Sequence, residues 1–371
     1  SLNVSGSVVI GFASSSNNSL AIGTADTMAT GSNSLSVGNG TLAYGDNSLA
    51  VGWSAKSSGD SSVAFGYGGA VAGGDSSVAF GEGSTSGQYA FATSGFAVGD
   101  GSVSIGYSNT YANGLYSFAQ GWDSVAGGDY SVALGYSTTV GNYSVSMGNQ
   151  ATSTGGYSFA HGNSTNAIGN GSHAEGYFTT SSGIGSHAEG YYTTANGQYT
   201  HAEGKYTNAI GNNSHAEGVS TNAIGNYSHA EGVSTNASGL ASHAEGNNTD
   251  AIGIYSHAEG HDTYAIGDYS HTEGLYTIAS GSYQHVSGKY NKRGNTTSLV
   301  VIGNGTGDSD ATRSDLVRFE TDGVQITGSL DVTGSLTVNN LTVGGSPITV
   351  SPTTKTGIIA PARPSQFQCG K

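Results

Sequence analysis

Apolar and polar positions alternate in short phrases along residues 1–288, and each phrase ends in glycine. SVAFG stands at 62–66 and 77–81, SVSIG at 102–106, SVALG at 131–135 and SVSMG at 144–148. From Gly162 to Gly288 glycines recur every 14 residues without a break, and a second set from Gly169 to Gly281 falls midway between them. The basic unit is therefore seven residues long, with two alternating spellings: SHAEG, and a Thr-x-Ala-x-Gly phrase such as TNAIG at 207–211. Upstream the spacing wanders between 13 and 15, as insertions at turns would make it. Five alternating residues closed by glycine predict a short strand and a tight turn. Two strands per 14 residues predict a flattened coil, and stacked coils predict parallel ladders at about 4.8 Å per rung. From Gly23 to Gly288 that makes roughly nineteen rungs and a rod about 90 Å long.

Alternation also assigns faces. Ser, Ala and Gly share one face of each phrase and two variable positions share the other. A coil with seven-residue arms is too thin for large side chains, so the small face is expected inside. The outward pairs are Val63 with Phe65, Val78 with Phe80, Val103 with Ile105, Phe118 with Gln120, Val132 with Leu134, and Val145 with Met147. On a monomer they would form a long exposed apolar ridge, which single chains rarely tolerate. The stripe predicts burial against identical chains arranged around an axis.

From Ser172 onward the same two positions change character. The histidines are His173, His187, His201, His215, His229, His243, His257, His271 and His285. The glutamates are Glu175, Glu189, Glu203, Glu217, Glu231, Glu245, Glu259 and Glu273. The same seam then continues in polar form, with one subunit contact per rung. A catalytic reading of Ser-His-Ala-Glu-Gly fails, because Ser172 and His173 are strand neighbours and point to opposite faces. No active site needs nine copies, so no enzyme is expected.

Were three chains to surround that axis, three copies of one histidine (His173, His187, His201 or His215) would offer a three-nitrogen site for zinc or another transition ion. The reading preferred to it is an interchain His–Glu hydrogen-bond and charge network, with no metal and no cofactor. Either version makes the seam pH sensitive. Protonation repels within the column while glutamate offsets it, so the sign stays open. His161 takes a Glu position and His261 lies off the ladder, and both read as surface or turn residues. Tyrosines such as Tyr177, Tyr276 and Tyr283 fall at turns and flanks. Among this set Tyr191, Tyr192, Tyr206, Tyr227, Tyr255, Tyr264 and Tyr269 form a candidate glycan-contact surface, since rings cover sugar faces. The alternative is that they pad the corners between rungs. Asp60, Asp75 and Asp129 read as turn formers, too few per site for calcium.

Composition agrees with a thin β-structure: 62 glycines, 4 prolines and 9% charged residues in 371. Net charge is −15, and residues 1–288 hold nineteen acids against only Lys56 and Lys205. Such a surface has no means of gripping nucleic acid or an anionic membrane. No apolar run reaches the length of a membrane span. Cys369 is the single cysteine and reads as a free thiol. The chain opens at Ser1 in mid-pattern without a methionine, which suggests part of a longer polypeptide.

S-x-A-x-G phrases at 14-residue spacing resemble the head of trimeric autotransporter adhesins (YadA-like), a left-handed parallel β-roll built as a homotrimer. The SHAEG spelling resembles repeats of bacteriophage and prophage tail proteins. YQHVSGKYN at 283–291 and VVIGNGTGDSDATRSDLVRFETDGVQITGSL at 300–330 look like the cap that closes such repeats in tail fibres. The expected class is thus an all-β, parallel left-handed β-roll or β-solenoid of 14-residue rungs, homotrimeric, followed by a β-rich cap and an intertwined β-prism. Residues 1–288 form the repeat domain, with an apolar stripe over 1–162 and a His/Glu stripe over 163–288. Residues 289–345 form the cap and prism, and 346–371, with all four prolines, a tail or linker. The resemblance implies a receptor-binding phage tail fibre on the virion. Its partners would be itself, other tail or fibre proteins, and a host surface glycan or protein receptor. A bacterial surface adhesin is the alternative, and a polysaccharide-degrading spike ranks last because nearly every Glu belongs to the stripe. Neither a membrane anchor nor a self-cleaving chaperone is recognised in these residues.

Overall fold

The computed structural model describes residues 18–107 and 109–333, together with the backbone of two strand segments at 8–11 and 14–15. The chain divides into two units, Ser1–Gln325 and Ile326–Lys371. In the second unit, residues 326–333 are described. The rest of the expected prism, the tail at 346–371 and Cys369 lie outside the described residues.

The first unit is a parallel β-solenoid of about 20 coils, without helix among the described residues. Each regular coil contributes one long strand and one short strand. His187–Tyr191 is followed by Thr194–Ala195, and His201–Lys205 by Asn208–Ala209. In these regular coils long strands pair with the long strands of neighbouring coils, in register, so that His187 faces His201 and Glu189 faces Glu203. Short strands do the same, Thr194 against Asn208. Register is fixed because a one-residue slip would turn every alanine outward.

The two seven-residue phrases do not make equal strands. In TNAIG only Asn208–Ala209 belongs to a strand, and Ile210 and Gly211 turn the corner. Their backbones stay satisfied, because Ile210 N–H donates to Ala223 O in the next coil at 2.8 Å and Gly211 N–H to the same oxygen at 3.3 Å. Hydrogen bonding therefore runs through the corners as well as the strands, as buried backbone requires.

The interior is one residue deep. Ala188, Ala195, Ala202, Ala209, Ala216 and Ala223 have no exposed surface and belong to one continuous file. Serines and threonines fill the rest. Ser186 Oγ donates to Gly183 O at 2.7 Å, and Ser256 repeats this with Gly253 at 2.7 Å. At these coils the serine of SHAEG clamps the corner, whereas the hydroxyls of Ser172, Ser214 and Ser228 are buried without a partner. The glycine that ends SHAEG is not interior filler, contrary to the expectation from alternation. Gly190 is exposed and has φ +112°, and a Cβ there would sit 2.1 Å from the carbonyl oxygen of Gly204 in the next coil. Glycine is needed for backbone conformation and for close stacking of coils.

Asp and Asn at the corners join successive coils. Asp60 Oδ1 accepts Asp46 N–H at 2.8 Å, Asp75 Oδ1 accepts Asp60 N–H at 3.0 Å, and Asp129 Oδ1 accepts Leu115 N–H at 2.9 Å. These carboxylates staple one coil to the next.

The ladder runs one coil past residue 288. Val300–Asn304 pairs in parallel with His285–Lys289, and Asp315–Glu320 then adds antiparallel to it. Gln284, Val286 and Val301 replace the small interior residues here. Gln284 Nε2 donates to Ser298 O at 2.9 Å. The buried Arg313 donates through Nη1 to Tyr276 O and Asn291 O, both at 2.9 Å, and pairs with Asp308. An antiparallel strand and a fixed arginine thereby close the open end of the stack, where unpaired strand edges would otherwise remain.

Candidate interaction surfaces

Every stripe residue named from sequence sits on the outer face of the long-strand sheet. The two columns are partly exposed, while the alanine between them is buried, as in Val63, Ala64 and Phe65. Within the chain the columns already stack: Phe65 and Phe80 ring centroids lie 5.7 Å apart, and Phe80 and Phe91 5.9 Å apart. Phe91 belongs to a coil that the phrase pattern skipped. Its strand Phe91–Thr93 pairs with both Val78–Phe80 and Val103–Tyr107. Leu35, Val37, Leu49, Val51 and Phe159 extend the apolar columns in the same register.

The expected apolar ridge needs correction in its second column, which polar residues interrupt. Ile105 does not stack on another apolar residue: it stands in register between Thr93 and Gln120. Leu134 lies between Gln120 and Met147, and Met147 between Leu134 and His161, so these two form one isolated apolar pair. The first column is unbroken over the same coils, running Val78, Phe91, Val103, Phe118, Val132, Val145 and Phe159. Ile105, Leu134 and Met147 are half-buried by their own chain's neighbouring coils, before any partner is added. An outer position half open to water lets Thr or Gln stand in an otherwise apolar column without needing a buried partner.

The change to His and Glu occurs within those columns. Phe159 stands in register with His173, and His161 with Glu175. Ser172 points inward and is buried, while His173 lies on the outer face, so no serine–histidine pair exists within a rung. The imidazoles form a file. Successive centroids from His173 to His271 lie 4.5–4.9 Å apart with planes within 10°, and only His285 is tilted. Each Glu lies beside the file. The Nε2–carboxylate distance is 3.6 Å for His173 and Glu175, 3.4 Å for His187 and Glu189, and 4.0 Å for His201 and Glu203. It is 3.9 Å for His215 and Glu217, 3.5 Å for His229 and Glu231, and 3.7 Å for His243 and Glu245. Further on the pairing crosses between coils, His271 to Glu259 at 3.4 Å and His285 to Glu273 at 3.5 Å.

Partial burial holds His173, His187, His215, His229 and His257 below their ordinary value. Neighbouring imidazoles are the next cause for His187, His215, His229 and His257, and the glutamates oppose both. For His173, Glu175 is the larger second influence.

His261 lies outside the His and Glu columns and on the surface, as expected, but within a strand and not a turn. It ends the strand His257–His261, in the column of Asn247 and Leu275, and its Nε2 meets Asp262 at 2.8 Å. The candidate glycan tyrosines fall on separate columns. Tyr191 ends a long strand, and Tyr192 and Tyr206 occupy the corner after it with φ near +55°. Those three rings pack on one another, and the Lys205 ammonium lies 5.8 Å from the Tyr191 centroid and 5.3 Å from that of Tyr206. Tyr227, Tyr255 and Tyr269 occupy the other corner, after the short strand, where Tyr255 and Tyr269 stack at 5.2 Å. Tyr264 is not at a turn: it lies in the short strand Tyr264–Ala265, between Asp250 and Ile278. One continuous platform does not form from these seven.

A concave surface with two tyrosines in its lining lies upstream, where sequence reading placed no site. The coil at Val132 is 13 residues long, and the missing residue is the corner one: Tyr136 pairs with Asn149 and Ser137 with Ala151, so Gln150 has no counterpart. The deletion leaves a notch of about 380 Å³ lined by Asn109, Tyr111, Asp123, Tyr136 and Gln150, among others. Trp122 stands beside it, 61% exposed, its Nε1 donating to Asp123 at 2.9 Å. The signal was present in the 13-residue spacing between SVALG and SVSMG, but spacing alone does not say which residue is missing.

The family model described as YadA head domain repeat (2 copies) matches residues 29–55, 43–68, 112–138, 140–165, 188–214, 202–228 and 258–283. The matches fall in both the apolar and the His/Glu stretches, so the two stripes are variants of one repeat. No curated protein matches the chain.

Proposed function

We propose that this chain of YadA head repeats forms a homotrimeric fibre that makes contact with a host cell surface, carried on a phage tail. A bacterial surface adhesin is the second reading, and the family match is equally compatible with it. The observation that carries the trimeric reading is the stripe. Val63 and Phe65, Val78 and Phe80, Val103 and Ile105, Val132 and Leu134, and Val145 and Met147 lie side by side on one face, partly exposed in the single chain. The unbroken first column gives a partner the longest apolar contact, and the polar breaks at Thr93 and Gln120 thin the second. Apolar burial contributes about 25 cal/mol per Å². Identical chains packed around an axis bury every copy of a repeating stripe equally.

The recognised partner is a glycan or protein on the host surface. The notch at Trp122 and the tyrosine corners support a glycan, because flat rings and amides together match a sugar face and its hydroxyls. A fibre on a virion would also join other tail or fibre proteins. Light scattering tests the assembly: three chain masses are expected for the native protein, with a shift to lower mass when Phe65→Asp and Phe80→Asp are combined. A folded monomer of the native chain would overturn the trimer. Detection of the chain in purified virions decides for the tail, and its recovery from a bacterial outer surface decides for the adhesin.

A further inference from the structure

The His/Glu file carries chemistry that a charge network does not use. Nε2 of His173, His187, His201, His215, His229, His243, His257 and His271 is buried and has no hydrogen-bond partner. A buried polar atom left unpaired costs free energy. The nearest carboxylate oxygens stand beside these nitrogens at 3.4–3.5 Å in the closest pairs, too far for a good hydrogen bond. That separation has another meaning. Two ligand atoms on one tetrahedral ion, each about 2.0–2.1 Å from it, lie about 3.4 Å apart.

We propose that successive coils hold a transition-metal dication between them, with zinc-type ligand sets drawn from one chain: His187, Glu189 and His201; His229, Glu231 and His243; His243, Glu245 and His257; and Glu259, His271 and Glu273. In each set all three ligand atoms lie within 4.8 Å of one another. In the first three sets the second imidazole belongs to the next coil, and in the fourth His271 and Glu273 belong to the coil after Glu259; side-chain rotation closes each set on the ion and leaves a fourth position for water. Nitrogen ligands select zinc, cobalt, nickel or copper over calcium or magnesium. The neutral imidazole is the form that binds metal. The acid column gains as well, because Glu189 and Glu203, in register on adjacent strands, repel when no cation lies between them.

These sets differ from a three-histidine site on a trimer axis. Each is complete within one chain, so the inference does not rest on the oligomeric reading. Two of the four sets share His243, so about three ions per chain can bind at once.

The test uses the full chain, stripped with a chelator, dialysed, and titrated at pH 7.5 with Co²⁺ followed by absorbance and with Zn²⁺ followed by calorimetry. About three ions per chain and an intense tetrahedral cobalt spectrum are expected, undisturbed by excess Ca²⁺. Glu189→Gln lowers the stoichiometry by one while the circular dichroism stays native. X-ray absorption of the zinc-loaded native chain, which needs no variant, is expected to show a mixed nitrogen and oxygen shell. Absence of saturable binding, an all-oxygen shell, or one ion per three chains would overturn the proposal. Light scattering on the same samples separates the two readings. Monomers holding about three ions each overturn the trimer alone, and trimers without ions overturn the metal sites alone.

Discussion

Gly190→Ala measures how much of the fold rests on close coil stacking. The φ of +112° at Gly190 lies outside the left-handed well that other residues can enter. Holding an alanine there costs about 1–3 kcal/mol. The new Cβ would meet Gly204 O at 2.1 Å, Gly204 C at 3.0 Å and Gly204 N at 3.1 Å, all backbone atoms. Relief requires that the next coil move, which loses one or two intercoil hydrogen bonds at about 1 kcal/mol each. The total is about 2–5 kcal/mol.

Gly171→Ala is the internal control. Gly171 has φ +65° and nothing within 4 Å of where its Cβ would stand, and Ala241 occupies the same column at φ 51°. Its left-handed cost of about 1–2 kcal/mol is offset by about 0.4–1 kcal/mol of lost unfolded-chain entropy. Amide exchange of peptides covering 187–206, with a distant peptide as reference, reads the local effect. Protection in Gly190→Ala is expected to fall by about thirtyfold or more, against about tenfold or less for Gly171→Ala around its own coil. Equal losses in the two variants would refute the stacking argument and leave dihedral strain as the whole effect.

Two further outcomes follow from the histidine file and the cap. Folded histidines held below the ordinary 6.5 bind fewer protons than unfolded ones in the acid range, so stability is retained above that value. It is lost as pH falls from 6.5 toward the depressed folded values, and exchange of residues 173–271 is expected to quicken relative to 35–66; slowing relative to 35–66 between pH 7.5 and pH 5 would reject the sign. Arg313→Ala strips the donors from Tyr276 O and Asn291 O and leaves Asp308 without its buried partner, at a cost of about 3 kcal/mol. The melting temperature should fall, with Arg313→Lys intermediate because lysine cannot reproduce the fork; an unchanged melting temperature in Arg313→Ala would remove arginine from the account of the cap.

Much of this molecule is written in its periodicity. The 14-residue metre fixed the parallel ladder, and the alternation within SVAFG and SHAEG assigned Ala64 and Ala174 inward and Phe65 and Glu175 outward. Those are properties of a period-2 strand, readable wherever the pattern repeats. The sequence also showed that His and Glu replace the apolar pair, and that Asp60 and Asp129 belong to turns. What it could not reveal depends on distances between coils. The role of Gly190 comes from a carbonyl 14 residues away. The neighbours of Ile105, Leu134 and Met147 depend on a coil at Phe91 that the phrases did not announce and on the register around Gln120. The assignment of Tyr264 to the short strand depends on where the corner ends, and the notch at Tyr136 on which residue a 13-residue coil omits. The sign of the pH effect, open in the sequence, required the imidazoles to be seen stacked at 4.5–4.9 Å and partly buried, with their glutamates to one side. Composition and order determined which face each residue takes; only the stacking of one coil on the next decided which atoms meet, because the energies of clash, charge and coordination all change within an ångström.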